Sequence, residues 1–228
     1  MSVNWLPIES NPDTLNEYLI KLGFDNSQFS FVDLFSTEDW AKEMIPQPAI
    51  AMIMLFPYTD KNKEFRTKEE QEILEKGQEV DQNLFFMKQK AANACGSIAL
   101  FHILSNLGER QNALSQDSLV NQFKNANLNA NPDQRAENFN ENHSILGVHK
   151  EMVVQGDSQV CEEVDSHFVA LVPFNGNLYE LDGTKSRPIN HGPTVEETFL
   201  EDACEVVKKF MAREPDNVNF SILVLAKS

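Results

Sequence analysis

The alternation of apolar and polar positions divides the chain into segments of different period. Asn11-Pro12 opens the first: Asn suits a helix N-cap and Pro the first helical position. Leu15, Tyr18, Leu19 and Leu22 then recur at helical spacing up to Gly23. Phe29–Leu34 reads as a short strand. Pro46 and Pro48 precede Ala49–Phe56, a continuous apolar run of strand length, as in a strand covered on both faces. Thr67-Lys-Glu-Glu70 has the form of a capping box and predicts a charged helix from Thr67 to about Val80. From Cys95 to Gly108 the chain is apolar almost all round, the pattern of a buried central helix closed by glycine.

Two polar, exposed helices are predicted near Ser115–Ala126 and Asn131–Asn140. Leu146–Val164 has no clean period, contains Gly147 and Gly156 and ends acidic, so a long irregular loop is expected there; loops of that length are usually functional or mobile. Ser166–Phe174 and Leu178–Asp182 are β-like segments around Asn175-Gly176, a strong hairpin signal. Thr194-Val-Glu-Glu197 forms a second capping box, predicting a helix through Phe199, Ala203, Val206, Val207 and Phe210 that ends before Pro215. Asn219–Ala226 closes the chain as an apolar strand. The class is α+β, with a central, mostly antiparallel sheet flanked by helices.

With 228 residues, 41% of them hydrophobic, the chain can build one well-buried core and is short for two, so residues 1–228 are expected to form a single domain. A charged content of 24% and 16 Phe argue against disorder. No apolar run approaches the roughly 18 residues of a membrane span. Met1-Ser-Val-Asn-Trp-Leu-Pro lacks the basic and then apolar stretches of a secretory signal. Cys95, Cys161 and Cys204 are an odd number without Cys-x-x-Cys or His-x-x-x-His spacing. A reducing, cytoplasmic setting is therefore expected, with no disulfide framework and no metal. The net charge of −16 disfavours nucleic acid and anionic membranes and suits either a basic protein partner or plain solubility.

Candidate chemistry centres on Cys95, in Gln89-Lys-Ala-Ala-Asn-Ala-Cys95-Gly-Ser. A thiol at a helix N-terminus feels the partial positive charge of free backbone N–H groups, which favours the thiolate, and Gly96 admits a substrate carbonyl. The alternative is a small buried core residue. A cysteine nucleophile needs a base and a group that orients the base. His102 falls inside the apolar helix and reads as a core residue; His143, His149 and His191 lie in polar, loop-like sequence. His167 starts a strand. A two-residue turn at Asn175-Gly176 pairs it with Thr184 and leaves Asp182 a diagonal neighbour on the same face, about 7–8 Å away. A three-residue turn would separate the two faces. Gln89 stands six residues before the cysteine and could supply a side-chain amide to an oxyanion; a surface Gln is the alternative.

This order of residues and its local wording resemble the ubiquitin carboxyl-terminal hydrolase family. The matching segments are Trp5-Leu-Pro-Ile-Glu-Ser-Asn-Pro12, Phe31-Val-Asp33, Phe86-Met-Lys-Gln89, Asn93-Ala-Cys95-Gly96, His167-Phe-Val-Ala-Leu-Val172, Leu178-Tyr-Glu-Leu-Asp-Gly183, Pro188-Ile-Asn-His-Gly192 and Phe210-Met-Ala-Arg213. The resemblance implies a papain-like cysteine hydrolase fold with a knotted backbone. It assigns Cys95 as nucleophile, His167 as general base and acid, Asp182 as the residue orienting His167, and Gln89 as oxyanion-hole donor. It further implies a cofactor-free enzyme releasing small adducts or short extensions from the C-terminal glycine of ubiquitin, and a crossover loop over the active site, here near residues 146–164. Ubiquitin, or a ubiquitin-like modifier, becomes the expected partner of a monomeric enzyme. Glu9, Asp13 and Asp33 become candidates for the arginines of the ubiquitin tail, although Asp13 also suits a first helical turn.

The chain departs from the family at Ser97, where Thr is usual after Cys-Gly, and at Gln155-Gly-Asp in place of Glu-Gly-Gln in the loop, behind the apolar Met152-Val-Val154. Other readings are a ubiquitin-binding protein with little turnover, a hydrolase preferring another modifier, and a cysteine hydrolase unrelated to ubiquitin. The last explains the triad but not the outlying motifs.

Overall fold

A computed structural model describes residues 5–155 and 165–228. In chain order these contain α1 (Pro12–Lys21), β1 (Phe29–Asp33), α2 (Asp39–Lys42), β2 (Ala49–Pro57), α3 (Asp60–Lys76), α4 (Cys95–Ser105), a 3-10 turn (Gly108–Ala113), α5 (Leu119–Ala126), α6 (Pro132–Glu141), α7 (His143–Gln155), β3 (Ser166–Phe174), β4 (Asn177–Leu181), β5 (Ile189–Pro193), α8 (Phe199–Arg213) and β6 (Ser221–Lys227). The strands form one six-stranded antiparallel sheet in the order β1-β6-β2-β3-β4-β5, so the last strand lies between the first two.

Both faces of this sheet are covered, which accounts for the unbroken apolar run of β2. Ala51 and Ile53 of β2, Phe168, Ala170 and Val172 of β3 and Leu223 and Leu225 of β6 pack against α1 and α4–α7. The intervening residues Met52, Met54, Phe56, Val169, Leu171, Ile222 and Val224 pack against α8 and Ala41 of α2. The expected hairpin forms with a two-residue turn: Phe174 pairs with Asn177, and Asn175 and Gly176 both take positive φ, 46° and 80°. Asn11 caps α1 by accepting from the amides of Asp13 and Thr14, and Ser118 and Asn131 cap α5 and α6 in the same way.

Several expectations are corrected. Helix α3 starts at Asp60 and ends at Lys76, with Thr59 as its N-cap accepting from the Asn62 amide; Thr67 lies mid-helix and donates back to the Lys63 carbonyl. Its buried residues are the polar Asn62 and Arg66, so no apolar stripe announces its first turns. Likewise α8 begins at Phe199 rather than Thr194, because the Thr194 and Thr198 hydroxyls both donate to Asp202 at 2.7 Å. The expected loop is helical in its first part. Asn142 caps α7 by accepting from Ser144 and Ile145, and Ile145, His149, Met152 and Val153 form the buried stripe. Residues 156–164, with Cys161, lie outside the described residues. The exposed helices near residues 115 and 131 bury Val120, Phe123, Ala136 and Phe139. The sequence pattern missed α2 and β5; the latter is an irregular edge strand containing Gly192 at φ 104°.

Candidate active site

Helix α4 places Cys95 at its first position, and the bare Cα of Gly96 lets that end approach the sheet. A Cβ on Gly96 would stand 3.2 Å from the ring of Phe168 and 3.6 Å from Ile8. Since His167 precedes Phe168 at the start of β3, this contact brings the thiol and the imidazole together. The imidazole Nε2 donates to Asp182 Oδ1 at 2.7 Å, so its Nδ1 is the nitrogen left for the Cys95 thiol. Phe56, the β2 partner of His167, meets the imidazole edge-on with ring centroids 5.8 Å apart.

Asp182 is fully buried just beyond β4, and both its oxygens are partnered. Oδ1 also accepts from the Thr184 amide at 2.9 Å and the Thr184 hydroxyl at 2.8 Å; Oδ2 accepts from Arg66 Nη2 at 2.5 Å. Arg66 also donates to Thr184 Oγ1. One turn further along α3, Glu69 pairs with Lys185 at 2.5 Å and Glu70 accepts from the Ser186 amide at 2.6 Å. Helix α3 therefore splints the loop that follows Asp182. Behind it, the buried Glu180 carboxylate forms an ion pair with Lys185 at 2.7 Å and accepts from His191 Nε2 at 2.9 Å.

The electrostatics polarise the pair toward charge separation. Burial pushes the Cys95 thiol up, but the hydrogen bond and charge of His167, with the amides of Phe168 and Gly96, bring it below its ordinary value. Burial pulls His167 down, yet the Asp182 charge and hydrogen bond, helped by Cys95, raise it to about 10. For Asp182 burial again opposes ionisation, and the charges of His167 and Arg66 win, holding it well below the carboxylate range. Cys95 remains partly exposed, while Cys204 is buried under α8 and pushed up to about 11 by desolvation.

Gln89 joins the same cluster through its backbone. Its amide donates to the Gly183 carbonyl at 2.6 Å, and its side-chain Nε2 donates to the Ala91 carbonyl at 3.0 Å. One of the two Nε2 hydrogens is thereby fixed and the second is left over. Glu9 adjoins Ile8 on the segment crossing the start of α4; Asp13 is exposed in the first turn of α1, and Asp33 ends β1 opposite Leu223. Asn16 of α1 ties that helix to β1 through both backbone groups of Phe31.

His102 is a satisfied core residue, within reach of the backbone of Met87 and Leu181. His149, expected in a loop, is instead fully buried. Its Nδ1 contacts Ser97 Oγ at 2.9 Å, and Ser97 in turn contacts the Tyr18 hydroxyl at 2.9 Å, which links α7, α4 and α1. His191 belongs to β5 and His143 begins α7. Arg66 and Tyr58 escaped the sequence reading: nothing in their spacing marks them, and the helix that carries Arg66 was expected to start after it. Thr184 entered it only as the position opposite His167.

A thiol and a buried carboxylate on either side of one imidazole, above an antiparallel sheet, define a cysteine hydrolase. Residues 5–212 match the model of ubiquitin carboxyl-terminal hydrolase, family 1. Ubiquitin carboxyl-terminal hydrolase 3 of Arabidopsis thaliana is 37% identical over 226 residues, covering 99% of this chain and 95% of the relative. Ubiquitin carboxyl-terminal hydrolase isozyme L1 of Homo sapiens is 37% identical, covering 97% of this chain and 98% of the relative. Among solved structures, the Trichinella spiralis UCH37 catalytic domain bound to ubiquitin vinyl methyl ester shares the fold, with a TM-score of 0.77 at 23% identity, covering 99% of this chain and 96% of that one. The chain belongs to the ubiquitin carboxyl-terminal hydrolase family and is a cysteine-type ubiquitin C-terminal hydrolase.

Proposed function

We propose that Cys95 attacks the carbonyl of the C-terminal glycine of ubiquitin, with His167, Asp182 and Gln89 completing the site. The observation that carries this reading is the His167 imidazole, bonded to Asp182 at 2.7 Å and polarising the Cys95 thiol from its other side. Attack by the thiolate makes a tetrahedral oxyanion. The free Cys95 amide at the start of α4 and the second Nε2 hydrogen of Gln89 stabilise it. Collapse expels the amine, which takes its proton from His167 and leaves a thioester. His167 then removes a proton from water, and the hydroxide releases ubiquitin and regenerates the thiol. Asp182 stays ionised throughout and fixes the ring. No step calls for a cofactor.

Glu9, Asp13 and Asp33 are the proposed contacts for the basic ubiquitin tail, and their chemistry and the net charge of −16 support this. We further propose that the chain acts as one catalytic domain, as a monomer and in the cytoplasm. The thiols of Cys95 and Cys204 are free, and among the described residues no helix is long and apolar enough to cross a membrane. The test is Cys95→Ala with a ubiquitin C-terminal amide. Turnover is expected to fall by on the order of 10⁴-fold or more while ubiquitin binding survives. Turnover within tenfold of the parent would refute the assignment.

A further inference from the structure

Tyr58 leaves β2 directly after Pro57, and its amide donates to the Asp165 carbonyl at 2.9 Å, continuing the β2–β3 ladder. That pairing sets its ring beside His167, with ring centroids 5.2 Å apart and planes tilted by 42°. The same ring carries the Arg66 guanidinium at 5.0 Å and the Lys63 ammonium at 5.4 Å. Three groups that are or become cationic thus surround one neutral aromatic side chain.

The charges around the imidazole make this arrangement consequential. Asp182, from the β4–β5 loop, accepts from both His167 and Arg66, so one carboxylate is divided between two cations once the imidazole is protonated. Lys185 lies behind it, neutralised by Glu180 and Glu69. Helix α3 adds Lys63, whose own partners are Asp60 at 3.0 Å and the charge of Asp165. Helix α4 contributes the Cys95 thiolate as the remaining anion. An aliphatic side chain at position 58 would shelter the imidazole equally well and offer its positive charge nothing. An aromatic ring has a negative face that attracts a cation within about 6 Å, and more strongly away from water.

We propose that Tyr58 is a positioning residue of the reaction, whose ring stabilises the protonated His167 imidazole and so holds the Cys95–His167 pair in its ionised form. This rests on the reading of Cys95 and His167 as the reacting pair. Weakening the ring leaves the first ionisation in place, because the imidazolium stands beside both the thiol and the thiolate, but the imidazole then loses its proton at lower pH. The active window narrows from its alkaline side.

The experiment follows Cys95 alkylation by iodoacetamide and turnover of a ubiquitin C-terminal amide as functions of pH in the full chain. The variants are Tyr58→Phe, Tyr58→Leu and a series in which Tyr58→Phe carries increasing ring fluorination, which empties the negative face at nearly constant size. For Tyr58→Leu and the most fluorinated ring, the alkaline limb of turnover is expected to move to lower pH by about half to one unit while the onset of alkylation at acid pH stays in place, with kcat on the alkaline side falling more than KM rises. Tyr58→Phe should stay close to the parent, and the shift should grow with fluorination. The isosteric series decides the matter even if Tyr58→Leu does not fold. Superimposable profiles across that series would overturn the proposal, as would a Tyr58→Phe shift as large as that of the most fluorinated ring, because the hydroxyl would then be responsible. Cys95→Ser separates the two readings. Turnover retained in that variant removes the reacting pair itself, whereas an inactive Cys95→Ser beside unshifted ring variants removes only the role of Tyr58.

Discussion

Gly183 joins two halves of the site that the chain supplies from distant positions. Its carbonyl holds the Gln89 amide, and the residues on either side of it, Asp182 and Thr184, carry the contacts that fix His167. A Cβ at this point would stand 3.0 Å from Gln89 Cβ, 3.1 Å from its backbone nitrogen and 3.2 Å from Ile98 Cγ2, all in packed surroundings. Gly183→Ala should therefore displace Gln89, the proposed oxyanion donor, while leaving the thiol and imidazole in place. A fall in kcat of about tenfold or more is expected, with KM nearly unchanged, at a stability cost of about 1–3 kcal/mol. Steady-state kinetics with a ubiquitin amide would show it; a kcat within twofold of the parent contradicts it. At this scale the meeting of Cys95, His167 and Asp182 was legible. Cys95 sits at a helix start, and the two-residue turn at Asn175-Gly176 places His167 and Asp182 on one face. Arg66 and Tyr58 were not legible, since their role depends on which residues meet across α3, β2 and β3.

Among the elements, α1 was readable from apolar residues recurring at helical period, β2 and α4 from nearly unbroken apolar runs, and the β3–β4 hairpin from its Asn-Gly turn. The failures at α7 and α3 share a cause, which is polar residues inside a buried stripe. Helix α7 loses its period only if His149 is counted as polar surface, whereas the structure buries it between Ser97 and the ring of Trp5, 4.5 Å away. Helix α3 turns Asn62 and Arg66 inward and leaves Phe65 partly exposed, the reverse of an ordinary amphipathic helix. The apparent capping boxes at Thr67 and Thr194 misled because a threonine hydroxyl is equally content to donate to a carbonyl or carboxylate already nearby.

For the whole molecule, the buried histidines govern the response to acid. Desolvation lowers both His102 and His149 to about 4, below the ordinary value of 6.5. Between those values the unfolded chain binds protons that the folded chain refuses, so stability falls as pH falls through that window. The unfolding free energy from urea titrations should decline steadily from pH 7 to pH 4, by roughly 1–3 kcal/mol for each of His102 and His149; a constant value would contradict this. The other molecular property is the position of β6, bonded on one side to β1 and on the other to β2. A motor pulling on the carboxyl end must shear a strand out of the middle of the sheet, breaking two ladders together. A motor pulling on the amino end can instead peel β1 from an edge, one bond after another. The molecule is therefore mechanically polar. In single-molecule pulling from an internal anchor, unfolding through the carboxyl end should require the higher force, and equal forces from the two ends would refute this.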